Sequence, residues 1–391
     1  MDQLDRQIGK IKQELVSVRK ELHRIPEVGF QEYKTAAKVA EYLKNLGLEV
    51  QTGVAGTGVI ALLRGRGEGP TTAIRACLDA LAMDERSGVD YASEHEGVFH
   101  GCGHDGNMTF VLGAANILSQ YKDQLKGNVK FIFQPAEEET GGAAAIIKAG
   151  GLKNPDVDAI VHLHNWPGIK EGVIAVKSGP VMTSSDLFQL EIIGTPGHGA
   201  WPHLAVDPVV VAADVISAFQ NIISREIDPL KPAIITIGKI YGGTAVNIIP
   251  QTITLDGTVR TFDLEVRDFI QTRIEEVVKG VTQAARAKYK LTFNRIMPPV
   301  INDGQLAAKV SRSLSSSLGT DLVTDDFTPV MGCEEFSLFQ QEVPGLFLYI
   351  GNDKEGGDVI PVHAPNYVFN DEILVTGVKA LCKIVLDYQR D

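Results

Sequence analysis

The stretch Val129-Lys-Phe-Ile-Phe-Gln-Pro-Ala-Glu-Glu138 is a short apolar run that ends in a proline and two acids. A run of this kind, too short for a helix and bounded by a turn signal, reads as a strand buried on both faces. Thr71 to Arg75 and Ala159 to Leu163 read the same way, and helical patterns separate them at Thr109 to Tyr121 and Gly142 to Lys148. Buried strands alternating with helices predict an α/β sheet covered by helices. Upstream, amphipathic helices are expected up to about Arg24 and from about Lys34 to Leu46.

Beyond Ser185 the texture changes. Leu187 to Ile193, Ala233 to Ile240 and Thr252 to Thr261 alternate apolar and polar residues, with helical patterns at Ala205 to Ser224 and Glu265 to Ala287. Alternation suits an antiparallel sheet with one covered face. After Pro298-Pro299 the chain returns to helix and to a buried strand at Leu346 to Gly351. A chain of 391 residues exceeds what one core usually organises, so two domains are expected. Residues 1–184 and 299–391 would form an α/β domain with a mixed sheet flanked by helices, and residues 185–298 an inserted α+β domain.

Composition narrows the class of function. Hydrophobic residues make up 44% of the chain, enough for a large core. A net charge of -12, with no Lys/Arg run, argues against nucleic acid or an anionic membrane as partner. Met1 to Leu22 mixes charged and apolar residues at helical spacing, with no stretch resembling a signal peptide, and nothing later is long enough to span a bilayer. A cytoplasmic protein is the expectation. Cys77, Cys102, Cys333 and Cys382 are scattered, so no disulfide framework is expected, and Cys382 reads as core.

Polar residues collect where the predicted strands end, the usual place for a site in an open α/β sheet. Thr71 to Arg75 runs out into Cys77 and Asp79, and a glycine-spaced loop, His100-Gly-Cys-Gly-His-Asp105, precedes a helix. Val129 to Phe133 delivers Glu137 and Glu138, Ala159 to Leu163 delivers His162 and His164, and Leu346 to Gly351 is followed by His363. Thiol, imidazole and carboxylate together suit Zn, Mn, Co or Ni rather than Ca or Mg. A ligand set of one Cys, one Glu and three His is five groups, more than one tetrahedral zinc takes, so two metals are expected.

Neighbouring residues of an extended strand face opposite ways, so Glu137 and Glu138 reach one site only if the backbone leaves that conformation after Pro135. One acid can then ligate while the other takes a proton from water; the plainer alternative leaves one of them solvated. Gly197-His-Gly-Ala-Trp-Pro-His203 and Gly242-Gly-Thr-Ala-Val-Asn-Ile-Ile-Pro250 are loop sequences, and His198 reads as either a turn residue or a functional one. His23 reads as capping or packing, and His95 receives no role.

The ordered set resembles the M20 metallopeptidase and amidohydrolase family, in particular its aminoacylase-like branch of hippurate hydrolases, N-acetyldiaminopimelate deacetylases and auxin-conjugate hydrolases. Matching segments run from His23 to Gly29 through Arg75 to Leu81, His100 to Gly106, Phe133 to Glu138, His164 to Pro167, Gly197 to His203, Gly242 to Pro250, Gly257 to Phe262 and Gly332 to Phe336 to His363. The resemblance implies a dinuclear catalytic domain and an inserted lid domain that often dimerises. It assigns Cys102, His104, Glu138, His164 and His363 as metal ligands and Glu137 as acid/base. His198 matches a histidine that, in dimeric relatives, reaches the partner's site and supports the oxyanion. Asn247 and Arg260 resemble substrate-holding residues, Asp79 and Asp105 would orient ligand imidazoles, and His162, two residues from the ligand position, would either pack or support a ligand from behind.

The implied activity is hydrolysis of the amide bond of N-acyl amino acids by an activated water, with Glu137 as general base. A dinuclear carboxypeptidase or dipeptidase is the first alternative and a non-catalytic metal-binding scaffold the second; nucleophilic hydrolysis through Cys102 is a further rival. Relatives usually carry Asp at Cys77, Pro at Ala82, His at Asn107 and Asp at Glu335. Cys77 is therefore read as a spare thiol ligand or a buried neutral cysteine.

Overall fold

The computed structural model describes residues 3–354 and 356–389. The chain divides into two compact units, one comprising the segment up to Gly179 with Ile301–Thr328 and Leu338 onward, the other Pro180–Val300 with Pro329–Ser337. Residues 329–337, expected in the first unit, cluster with the second. Backbone contacts explain the difference: Val330 N donates to Val181 O at 3.0 Å and Thr183 N to Gly332 O at 2.8 Å.

An eight-stranded mixed sheet runs through the first unit in the order Glu49–Val54, Gly58–Arg64, Asn128–Gln134, Thr71–Cys77, Ala159–Lys170, Gly345–Asp353, Ile174–Ala175, Val323–Thr324. The central strands Asn128–Gln134, Thr71–Cys77, Ala159–Lys170 and Gly345–Asp353 are mutually parallel. Gly58–Arg64 joins antiparallel to Asn128–Gln134. Every residue of Thr71–Cys77 is buried, so both faces of that strand are covered, which is why its sequence shows no alternation.

Helices Gln3–Arg24, His104–Ser119 and Leu374–Tyr388 pack on one another within this unit. The first was expected from Met1; residues 1 and 2 lie outside the described residues. His104–Ser119 is buried all round except at Asn116 and Ser119, the pattern of a helix inside a core. Leu112→Ala there would cost about 2–5 kcal/mol. Among the described residues no helix is long and apolar enough to cross a membrane.

In the second unit a four-stranded antiparallel sheet is ordered Ala233–Gly242, Thr252–Thr261, Ser185–Ile193, Lys288–Met297. Thr252–Thr261 alternates buried and half-buried residues along its whole length. Helices Pro208–Asn221 and Leu264–Ala284 share the core with its inward residues. Asp207 and Asp263 cap them, each carboxylate accepting amide protons from the first turn.

Candidate metal centre

Parallel strands bring their carboxyl ends to one edge, and the loops leaving that edge carry the chemistry-bearing residues of the first unit. Asp79 follows Thr71–Cys77, Glu137 and Glu138 follow Asn128–Gln134, and Cys102 and His104 sit at the start of helix His104–Ser119. His162 and His164 were expected at a strand end. The strand instead continues to Lys170, so both lie inside it, two residues apart and on one face. His162 pairs with Arg75 in register, which places His164 level with the end of the shorter Thr71–Cys77 strand and beside the loops.

Gly103 makes the sharp entry into the helix. Its φ is 71°, and a Cβ there would stand 2.4 Å from Asn165 Nδ2, so both conformation and space demand glycine. His363 N donates to Gly101 O at 2.8 Å, fastening the His363 loop to the Cys102 loop.

Donor atoms converge as a result. Cys102 Sγ lies 3.6 Å from His164 Nε2, Glu138 Oε1 3.3 Å from His363 Nε2 and 3.9 Å from His104 Nε2. Cys102, His104 and His164 offer atoms within 4.8 Å of one another, as do Cys102, Glu138 and His363, and His104, Glu137 and Glu138. Atoms held about 2.0–2.3 Å from one ion stand roughly 3.3–3.7 Å apart at tetrahedral angles, so the spacing suits a divalent metal. A mixed thiol, imidazole and carboxylate set suits the same ions.

Electrostatics agree. Burial pushes the Cys102 thiol well above its ordinary pKa, with Glu138 and Glu137 adding to the effect. Burial also opposes charge on Glu138, yet His363 and His104 hold its carboxyl below the usual range. The Glu138 contact raises His363 in turn. A thiol, carboxylates and imidazoles packed this closely are compatible when a cation balances them.

Asp79 orients two members at once. Its carbonyl oxygen is 2.9 Å from His104 Nδ1, and its Oδ2 accepts from Glu138 N at 2.8 Å. Asp105 does something different from its expected role. Its carboxylate contacts His23 Nδ1 at 2.8 Å and Arg19 Nη1 at 3.4 Å, because the first helical turn points it away from His104 into the unit's interior. His23 is correspondingly buried, with Nε2 3.1 Å from Glu85, so it is one member of an ion cluster rather than a cap. Cys77 is buried, with its sulfur within 4.8 Å of donor atoms of Asp79 and His104.

Asn165 gave no signal in the sequence. Its Nδ2 reaches Cys102 O, Gly103 O and Asn107 Oδ1 at 3.1, 3.2 and 3.1 Å, and Tyr367 Oη donates to its Oδ1. His164 Nδ1 is 2.6 Å from Asn165 O. Asn107, where relatives were expected to show His, accepts from Asn165 N at 3.0 Å. The second unit holds His198, Asn247 and Arg260. His198 and Asn247 are exposed, and Arg260 is half-buried with Nη1 donating to Ser185 Oγ at 2.7 Å and Thr258 Oγ1 at 2.9 Å.

Residues 73–387 match peptidase family M20/M25/M40. The chain belongs to this family. An N-acetyl-L-cysteine deacetylase of Bacillus subtilis is 38% identical over 346 residues, covering 88% of this chain and 82% of its own. Thermostable carboxypeptidase 2 of Saccharolobus solfataricus is 34% identical over 394 residues, covering 99% and 98%. The crystal structure of a dinuclear metal-binding M20 peptidase from Bacillus subtilis superposes with a TM-score of 0.87 at 32% identity, covering 98% and 99%. This M20 protein falls in the aminoacylase-like branch and is a hydrolase acting on amides.

Proposed function

We propose that this M20 protein is a metal-dependent amidohydrolase that releases the acyl group from N-acyl amino acids. The observation that carries the reading is the convergence of Cys102, His104, Glu138, His164 and His363, with the buried Glu137 carboxylate within 4.8 Å of donor atoms of His104 and Glu138. Those five residues would hold two divalent ions, drawn from Mn, Zn, Co or Ni; the likeness to a dinuclear relative supports the number. Bound there, the ions supply Lewis acidity and lower the pKa of a coordinated water.

The protein's own residues do the rest. Glu137 accepts a proton from the attacking water and returns it to the leaving amine. Asp79 keeps His104 and Glu138 in place through its carbonyl and carboxylate. His198, like the matching histidine of dimeric relatives, would reach the site of the partner subunit in a dimer and donate there to the oxygen on which negative charge develops. In support, His198 Nδ1 accepts from Ala200 N at 3.1 Å, which leaves the ring proton on Nε2, the nitrogen free to donate. Asn247 and Arg260 would hold the substrate, as the resemblance to the family implies.

We take the protein to be cytoplasmic and to form a homodimer or larger homo-oligomer through the inserted domain, with residues 185–298 acting as that domain and residues 1–184 and 299–391 as the catalytic one. The outer strand Ala233–Gly242 supports pairing, since it exposes Ile234, Ile240 and Tyr241. Small acyl amino acids are the partners, with no nucleic acid or membrane. A carboxypeptidase is the second reading, favoured by the likeness to thermostable carboxypeptidase 2.

One experiment separates them. Protein stripped by chelator and refilled with Mn, Zn, Co or Ni is assayed for amine release from N-acetyl, N-benzoyl and N-succinyl amino acids and from dipeptides. Metal-dependent cleavage favouring acyl amino acids is expected. Preference for peptides would replace the reading with the second one, and cleavage that persists without metal would overturn both.

A further inference from the structure

We propose that Glu32 is a positioning residue that sets the aim of Glu137 through the backbone of Ala136. The inference rests on the amidohydrolase reading and deepens it.

Ala136 is the turning point between strand Asn128–Gln134 and the acid pair, and it holds φ at 48°, the left-handed region that costs a residue with a Cβ roughly 1 kcal/mol or more. That conformation takes the chain out of the extended form, in which Glu137 and Glu138 would face opposite ways. Something must hold it there. Glu32 lies in the Gly29-Phe-Gln-Glu32 segment, and its side chain is buried. Its Oε1 accepts from Ala136 N at 2.7 Å, while its Oε2 accepts from the Thr57 hydroxyl, so both oxygens are fixed.

The same segment closes on Ala136 sterically. A Cβ on Gly29 would stand 2.8 Å from Ala136 Cβ, a distance only glycine allows. On the far side of Glu137, Asp79 Oδ2 accepts from Glu138 N at 2.8 Å. Two buried carboxylates therefore hold the amides that flank Glu137. Asp79 also takes a backbone hydrogen bond from Glu137 itself, so the two carboxylates hold three successive amides, and Glu32 holds the one at Ala136, whose φ turns the chain toward the site.

Removing Glu32 leaves the fully buried Ala136 amide without its acceptor and frees Ala136 to relax toward negative φ. Glu138 keeps its hold on Asp79, so metal binding survives while the proton-transferring carboxylate is displaced. Burial already pushes the Glu32 carboxyl up toward its neutral form. A glutamine, whose amide oxygen can accept from Ala136 N, is then a close mimic.

The test compares Glu32→Ala and Glu32→Gln with wild type in the metal-loaded full chain. It measures kcat and KM on the N-acetyl amino acid wild type cleaves fastest, metal content, Tm, and amide hydrogen exchange across 131–138. Glu32→Ala is expected to lose roughly 10- to 100-fold in kcat with KM and metal content unchanged, to exchange its Ala136 amide faster than wild type, and to leave Phe131 and Phe133 protected. Glu32→Gln is expected to restore both turnover and protection. The proposal is overturned if Glu32→Ala keeps wild-type kcat, if its loss of kcat follows loss of metal or of folded protein, or if Glu32→Gln is as impaired as Glu32→Ala. Should wild type cleave no acyl amino acid, the amidohydrolase reading fails instead, and exchange decides alone: an Ala136 amide equally protected in Glu32→Ala and wild type sinks the positioning role.

Discussion

Asp105 Oδ2 stands 2.8 Å from His23 Nδ1, and both side chains are buried. Burial works against a charged His23, but Asp105 and Glu85 outweigh it and hold its pKa up at about 9, above the ordinary 6.5. Arg19, itself bonded to Asp371 at 2.8 Å, completes the balance of charge. The ion cluster joins the first helix to the helix that begins at His104.

A pH dependence of stability follows. A group whose folded pKa is raised contributes fully below its unfolded pKa and loses that contribution as pH climbs through the folded value. His23 should therefore stabilise the first unit fully below pH 6.5 and cease to do so as pH rises through about 9, a change on the order of 3 kcal/mol. Denaturant unfolding at a series of pH values should show this decline in wild type and a flatter profile in His23→Gln. Equal slopes would remove His23 as the source.

Metal uptake should release a proton from Cys102. Its thiol is kept protonated by burial and by the neighbouring Glu138 and Glu137, whereas a ligand must be a thiolate. Titrating stripped protein with Zn or Mn near neutral pH, in buffers of different ionisation enthalpy, should reveal about one more proton released by wild type than by Cys102→Ser. The same proton count in both would mean that Cys102 does not ligate.

Asn165 should govern metal affinity without being a ligand. It joins the His164 strand, the Cys102–Gly103 carbonyls and Tyr367, three segments far apart in the chain. Asn165→Ala should weaken metal binding by about 10- to 100-fold in chelator competition, the usual scale for residues that orient ligands. Tyr367→Phe, which removes one donor to Asn165, should weaken it less. Unchanged affinity in Asn165→Ala would show that the loops hold their spacing unaided.

Much of this arrangement could be read from the chain because it is written locally. Apolar runs such as Val129 to Phe133 mark buried strands, and the alternation in Thr252–Thr261 marks a sheet with one covered face. Cys102 and His104 advertise themselves by glycine spacing, and Pro135 announces the break that lets two adjacent acids turn inward. What stayed hidden depends on residues distant in sequence. Nothing near Glu32 says that its carboxylate will meet Ala136, and nothing near Asn165 says that its amide will meet Cys102 O. Asp105 departs from expectation for a related reason: adjacency to His104 suggests a shared task, but successive helical residues point about 100° apart, and Asp105 meets His23 and Arg19 instead. His162 and His164 were placed at a strand end because the apolar run stops there, while backbone pairing with Gly345–Asp353 carries the strand on to Lys170.

Turnover of Glu137→Gln, with metal content measured on the same sample, decides whether this carboxylate takes the proton from water. Glutamine keeps the size of the side chain and removes its capacity to take a proton. The variant should bind metal as wild type does and hydrolyse N-acyl amino acids roughly 10²- to 10⁴-fold more slowly. Metal-loaded Glu137→Gln turning over at the wild-type rate would contradict that role, because the proton would then have to leave by another group.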